Sequence, residues 1–257
     1  MEMSLLTLNL HGWLEENQMD KFEKIAEFIY KNEIDIIAFQ EVNQHKDKEL
    51  TYDNIRIDNP SLIIKNFLQE KNKAYNFVWD WAHYGYDVYE EGVSVLTKWN
   101  IEKSTSKYVS INDDVTMWKS RKAIKATVSK NDKKMNIISC HLGWFGDQED
   151  PFEKQIVNLD KFIKEDEGLT FVLGDFNNPD DSKGYELIKN IGLNDLYQNK
   201  DKGHTIIENI AGWEDNKKGL RIDYIFANEK LEVLDSKVIF DKERVSDHFG
   251  VMVKVKI

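Results

Sequence analysis

The chain has one cysteine, Cys140, so no disulfide within it can brace a fold. That excludes the small cystine-framed secreted folds and cysteine-based zinc clusters. Only three prolines occur in 257 residues, with no low-complexity run and no internal repeat. No stretch reads as a linker, so a single domain over residues 1–257 is expected. No apolar segment is long enough to span a bilayer, and no basic run followed by an apolar core opens the chain. The expected setting is the cytoplasm, with no membrane contact and no obligate protein partner. Excess positive charge is missing as well. Thirty-five Lys and Arg stand against 46 Asp and Glu, a net charge of −11, and the lysines are interleaved with acids. A nucleic-acid partner is therefore disfavoured, since it normally meets a basic stripe.

What is present is apolar and aromatic: 41% hydrophobic residues, with seven Trp, ten Tyr and thirteen Phe, enough for a substantial core. Strand-like runs occur at 4–10, 34–39, 75–81, 92–97, 121–128, 135–140, 169–175, 220–226, 233–240 and 249–257. Helical spacing occurs at 18–31, where Phe22, Ile25, Ala26 and Ile29 share a face, and at 62–68, 151–164 and 182–190. Residues 81–90 are aromatic and irregular and read as a loop. Residues 121–140 read as a hairpin turned at Asn131-Asp132. Strands outnumber helices and several adjoin as hairpins, which points to two packed mixed sheets flanked by helices.

Gly174-Asp175-Phe176-Asn177-Asn178-Pro179 closes one buried run. On extended chain, residues two apart face the same way, so Asp175 and Asn177 stand together while Phe176 enters the core. Other strands also end in polar groups: Asn9, Glu41, Glu91, His141, Asp223, and Asp247 with His248. Singly, each has a plain structural explanation. An Asn at a strand end forms turns, and Asp223, between Ile222 and Tyr224, needs solvent or a partner. Together they suggest polar strand ends converging on one site.

These blocks, in this order from Leu8-Asn9 through Gln40-Glu41, Glu91-Gly92, Ser139-Cys140-His141, Gly174-Asp175-Phe176-Asn177 and Arg221-Ile222-Asp223-Tyr224 to Ser246-Asp247-His248, resemble the endonuclease/exonuclease/phosphatase superfamily, the deoxyribonuclease I-like enzymes. The resemblance implies a four-layer αββα sandwich, an α/β fold, and metal-dependent hydrolysis of phosphate esters. It implies Mg²⁺, with Mn²⁺ as an alternative, on Glu41, Asn9 and Asp247; oxygen-only ligation suits such ions. It further implies His248 as general base held by Asp223, Asp175 and Asn177 aligning water and phosphoryl oxygens, and a protonated His141 paired with Glu91.

The substrate is left to the loops. Aromatics crowd the site blocks: Trp81, His83 and Tyr84 before Glu91, Trp144 and Phe145 after His141, Trp118 before Arg121 and Lys122, and Trp213 before Asp223. Aromatic faces beside polar groups suit a sugar ring, although any single one can equally be packing. Trp81, His83, Tyr84, Arg121, Trp144 and Trp213 are the substrate-binding candidates. Within the superfamily the segments 10–18 and 81–87 look most like bacterial maltose 6′-phosphate phosphatases. That implies a small phosphorylated sugar as substrate, with a nuclease or other phosphodiesterase as the alternative.

Overall fold

The computed structural model describes residues 1–131, 133–199, 201 and 203–257. In chain order the elements are β1 (Glu2–Asn9), α1 (Gln18–Lys31), β2 (Ile36–Gln40), β3 (Gln44–His45), β4 (Leu50–Tyr52), β5 (Ile55–Arg56), α2 (Pro60–Glu70), β6 (Asn76–Gly85), β7 (Tyr89–Thr97) and β8 (Ile101–Tyr108). Then follow β9 (Lys122–Lys130), β10 (Lys133–His141), α3 (Phe152–Ile163), β11 (Leu169–Asp175), α4 (Lys183–Asn190), β12 (Asn194–Asp195), β13 (Asp223–Ala227), β14 (Glu232–Ile239) and β15 (Gly250–Lys256).

They form two large mixed sheets. One has the order β14-β15-β1-β2-β7-β3, with β6 also on β7; the other runs β12-β13-β11-β10-β9-β8. Each holds a parallel pair at its heart, β1 with β2 and β10 with β11, whose connections carry α1 and α3. Three apolar layers account for the stacking. Leu5, Ile36, Val95 and Val253 of the first sheet meet Ile124, Ile137, Phe171 and Ile225 of the second. On the outer face of the first sheet, Leu6, Leu8 and Ile37 pack with Phe22, Ile25 and Ile29 of α1 and Ile64 and Leu68 of α2. On the outer face of the second, Ile138, Val172 and Phe226 pack with Ile156, Leu159 and Phe162 of α3 and Ile188 of α4. The result is the helix–sheet–sheet–helix sandwich. Central strands covered on both faces are largely apolar, as Ile36–Phe39 of β2 show.

Local chemistry starts two of the helices. Asn59 Oδ1 accepts from Ser61 N and Leu62 N ahead of α2, with Pro60 in its first turn, and Ser182 caps α4 through Tyr185 N. Three readings need correction. Residues 81–90 are not a loop but the end of a β6–β7 hairpin, turned at Tyr86 and Asp87 with φ of 49° and 59°; that turn normally takes Gly or Asn, so its residues gave no signal. β8 went unread because it is a polar edge strand with one neighbour and no apolar alternation. The strand carrying Asp223 starts at Asp223 rather than Leu220, which instead bridges Ile206. The β9–β10 turn includes Asn131 in left-handed conformation; Asp132 lies outside the described residues.

Candidate active site

Strand register gathers the polar ends. Asn9 lies opposite Gln40 in the first sheet; in the second, His141 lies opposite Asp175 and Asp175 opposite Asp223. The sheets are tied together at this end. Gln40 Nε2 donates to Ser139 Oγ at 3.1 Å, and fully buried Asn9 donates from Nδ2 to Glu41 Oε1 at 2.8 Å and to Asp175 Oδ2 at 3.2 Å. Gly174 allows this closeness in the second sheet, because a Cβ there would meet Cys140 O at 1.9 Å.

Asp175 sits between two imidazoles. Its Oδ2 is 3.8 Å from His248 Nε2 and 3.7 Å from His141 Nε2, and its Oδ1 accepts from Asn177 N at 2.8 Å. His248 Nδ1 lies 2.9 Å from Asp223 Oδ2, and Asp223 is fully buried, so that carboxylate finds its partner in the ring. Burial pulls His248 down but is outweighed by Asp223, Asp175 and Asp247, and its pKa stands well above the ordinary imidazole range. Burial and the neighbouring Asp223 push Asp175 up to about 7.

His141 differs from expectation. Burial and the Arg121 cation hold it well below the usual range, so the ring is neutral at pH 7, and Asn177 Nδ2 lies against its Nε2 at 3.2 Å. Glu91, expected to pair with it, faces His83 Nε2 at 3.4 Å and Arg121 Nη1 at 4.0 Å. Burial would raise Glu91, but His83 above all, with His141 and Arg121, holds it lowered to about 2. A bulge in β6 between Trp81 and His83 is the reason: it sets His83 directly opposite Glu91. His83 is buried, with Nδ1 2.9 Å from Ser120 O, and it lines the cleft beside Glu91.

The same bulge turns Trp81 and Tyr84 toward one another, ring centroids 5.0 Å apart, and neither lines the cleft. Trp213 is not in the lining either; its Nε1 donates to Asn177 Oδ1 at 3.2 Å. Arg121 and Trp144 do line it. Arg121 is 4% exposed, its guanidinium lies over the Trp144 ring at 5.7 Å, and its Nε has no hydrogen-bond partner among the described residues. It is the one Arg or Lys among the described residues lining a cleft of about 350 Å³. Glu41, Glu91, His141, Asp175, Asn177, Asp247 and His248 border the same cleft. Sequence reasoning passed over His11, Tyr86, Ile210 and Ala211 in the lining, and left Trp118 unassigned. His11 stands two residues beyond Asn9 and could have been found from that spacing. Tyr86 sits in the unread hairpin turn.

The donor set suits a hard divalent cation. Glu41 is pushed up to about 7 by burial and by repulsion from Glu91 and Asp247, a crowding that a cation would relieve. Asn9 fits less well as a ligand: its Nδ2 holds two carboxylates and its Oδ1 accepts from His11 N at 3.1 Å. Two further groupings bring acid and imidazole atoms within 4.8 Å of one another, Asp175 with Asp223 and His248, and His11 with Glu15 and Asp247.

A four-layer sandwich with a carboxylate and imidazole cleft at one end of its sheets is the architecture of phosphoester hydrolases, and residues 7–248 match the Endonuclease/Exonuclease/phosphatase family, to which this chain belongs. Members of that family are metal-dependent hydrolases acting on phosphoesters. The chain is similar to an endonuclease/exonuclease/phosphatase family protein from Leptotrichia buccalis at 34% identity and a TM-score of 0.92, over 99% of this chain and 100% of that one. It shares the fold with a Bacteroides thetaiotaomicron mannosyl-6-phosphatase (16% identity, TM-score 0.71, 99% and 100% covered). It also shares it with D. rerio TDP2 complexed with single-strand DNA product (16% identity, TM-score 0.70, 100% and 99% covered). No curated protein matches the chain.

Proposed function

We propose that the chain is a metal-dependent phosphomonoesterase for a phosphorylated sugar, with maltose 6′-phosphate, converted to maltose and phosphate, as the substrate to test first. The fold houses sugar-phosphate chemistry in one relative and a DNA product in another, so the cleft must decide. The observation that carries the reading is that the cleft combines two chemistries. Its lining joins carboxylates, imidazoles and a single buried Arg121 with the aromatic side chains of Trp118, Trp144 and Tyr86. One fixed cation suits one phosphoryl group. Indole faces suit the C–H faces of a sugar. A nucleic-acid strand needs further cations for its flanking phosphates, and the cleft lining and the −11 net charge offer none.

In this reading Arg121 holds the phosphoryl oxygens, with His141 and Asn177 beside them on the floor of the cleft. A water attacks phosphorus in line with the sugar oxygen. The new P–O bond forms as the bond to the sugar breaks, the water's proton passes to the Asp175–His248 pair, and the leaving sugar oxygen takes its proton from solvent. Asp223 fixes the His248 ring and stabilises its charged form. Glu41 and Asp247 would hold Mg²⁺ or Mn²⁺, which would supply positive charge for the phosphoryl and leaving oxygens. The substrate is a small molecule in the cytoplasm, and one domain carries the whole site. Neither a membrane nor a protein partner enters this scheme.

The test is phosphate release by the purified protein with Mg²⁺, across maltose 6′-phosphate, hexose 6-phosphates, nucleotides and plasmid DNA. Preferred turnover of a sugar phosphate supports the reading. Nicking of the plasmid without sugar-phosphate turnover overturns it in favour of a phosphodiesterase.

A further inference from the structure

Residues 207–219 form a loop pinched at its base and bent over the cleft. The pinch is the Ile206–Leu220 bridge, with Leu220 N donating to Ile206 O at 2.9 Å and Thr205 N donating to Leu220 O at 2.8 Å. Thr205 Oγ1 accepts from Ile222 N and Asp223 N, and Thr205 O accepts from Phe249 N, so the base is joined to the backbone of Asp223 and of the residue after His248. At the tip, Ile210 and Ala211 line the cleft. Gly212, with φ +82°, lies flat on Trp144, where a Cβ would come within 2.6 Å of Cζ2. Trp213 then reaches Asn177.

The indole N–H can only donate. Donating to Asn177 Oδ1, it assigns the oxygen end of that amide. The other end, Nδ2, then faces Leu142 O at 3.0 Å and His141 Nε2 at 3.2 Å. An amide nitrogen can only donate, so the His141 nitrogen it meets must accept, and the ring proton is left on Nδ1. Two residues of the cleft floor are thus oriented from a loop that also walls the cleft.

We infer that Trp213 is a positioning residue that, through Asn177, sets the tautomer and orientation of His141 and thereby couples the 207–219 loop to the floor of the cleft. This rests on the phosphomonoesterase reading only for its kinetic consequence. Neither the strand motifs nor the family match assigns Trp213 this task, and its lack of direct contact with the cleft separates it from the sugar-facing aromatics.

The experiment uses Trp213→Phe, which removes the N–H and keeps an aromatic ring. With maltose 6′-phosphate and with phenyl phosphate, kcat is expected to fall about tenfold on both, with KM within about twofold, as loss of an outer partner of a reacting group does. An unchanged kcat with KM raised on the disaccharide alone overturns the inference, because it shows a wall contact only. Imidazole ¹⁵N spectra of the full-length protein at neutral pH give a second readout free of any substrate. The His141 ring is expected as the Nδ1–H form, moving to a tautomer mixture in Trp213→Phe at unchanged melting temperature. An unchanged spectrum overturns the inference. If the parent protein hydrolyses neither ester, the proposed function fails, and the spectrum alone decides the role of Trp213.

Discussion

At the scale of single residues, the account turns on Asp223. It is fully buried, and its Oδ2 is 2.9 Å from His248 Nδ1 while its Oδ1 has no hydrogen-bond partner among the described residues. Asp223→Asn keeps the volume and removes the charge that holds the ring. Turnover of a sugar phosphate is expected to drop roughly 10²–10⁴-fold, with circular dichroism unchanged; a loss under about threefold would remove Asp223 from the mechanism. This residue was legible in the sequence, because a carboxylate between Ile222 and Tyr224 demanded a partner. Asp175 and Asn177 were legible for a similar reason, standing at the mouth of a fully apolar run. Glu91 was legible as a site residue but not as the partner of His83. That pairing depends on one bulged residue in β6, and a bulge shifts every later side chain without changing the apolar pattern. Arg121 was ambiguous in the sequence, and burial decides it: a 4% exposed guanidinium with an unpartnered Nε sits in the cleft, not on the surface.

At the scale of elements, the β8–β9 connection carries Trp118 to the cleft rim, where it is 55% exposed, with its ring 6.1 Å from that of Trp144. An exposed indole beside a reacting site gains its worth when a ligand covers it. Trp118→Ala is expected to raise KM for maltose 6′-phosphate about fivefold, the equivalent of roughly 1 kcal/mol of lost stacking, while kcat on phenyl phosphate stays level. Equal loss on both esters would make Trp118 part of the framework. A different element pair shows how α3 is held to the second sheet. Lys125 of β9 is 1% exposed, and its Nζ donates to Phe162 O at 2.8 Å and meets Asp166 Oδ2 at 2.6 Å. A cation at a helix C-terminus is well placed, and the carboxylate completes it. Lys125, then Lys103, hold Asp166 lowered to about 2. A carboxylate depressed on folding stabilises the fold above its unfolded pKa of about 4, and that gain disappears as pH falls through about 2. Asp166→Asn is expected to melt about 2–4 °C below the parent at pH 7, with the gap narrowing steadily below pH 4. A gap that does not vary with pH would assign the effect to packing. A lysine inside a strand pattern gave no hint of this role, since Lys125 reads as a solvent-facing residue until α3 is laid over it.

At the scale of the whole molecule, the two sheets present related halves. Each has a parallel pair joined through a helix, and each pair delivers polar residues at the same end: Asn9 with Gln40 and Glu41, His141 with Asp175. The sandwich was readable from strand count and hairpin adjacency. The convergence of the polar strand ends was readable from their recurrence, but the bonds that join the halves were not, because Asn9 to Asp175 and Gln40 to Ser139 span more than 90 residues of chain. Substrate choice was the least legible part. It rests on the hairpin end 81–90 and the loops 110–120 and 207–219, whose turns carry little pattern and whose aromatics divide between the cleft and their own packing. The net charge of −11 acts at this scale too: it disfavours polyanions, and under the proposed function a small monoester would meet one arginine and a cation.

The central claim is that water attacks the phosphorus of a sugar monoester in this cleft. It is tested most directly by turning over maltose 6′-phosphate with Mg²⁺ in ¹⁸O-water and weighing both products. One ¹⁸O in the released phosphate and none in maltose is the expected result. Label in the sugar hydroxyl, or no release of phosphate, would contradict the account.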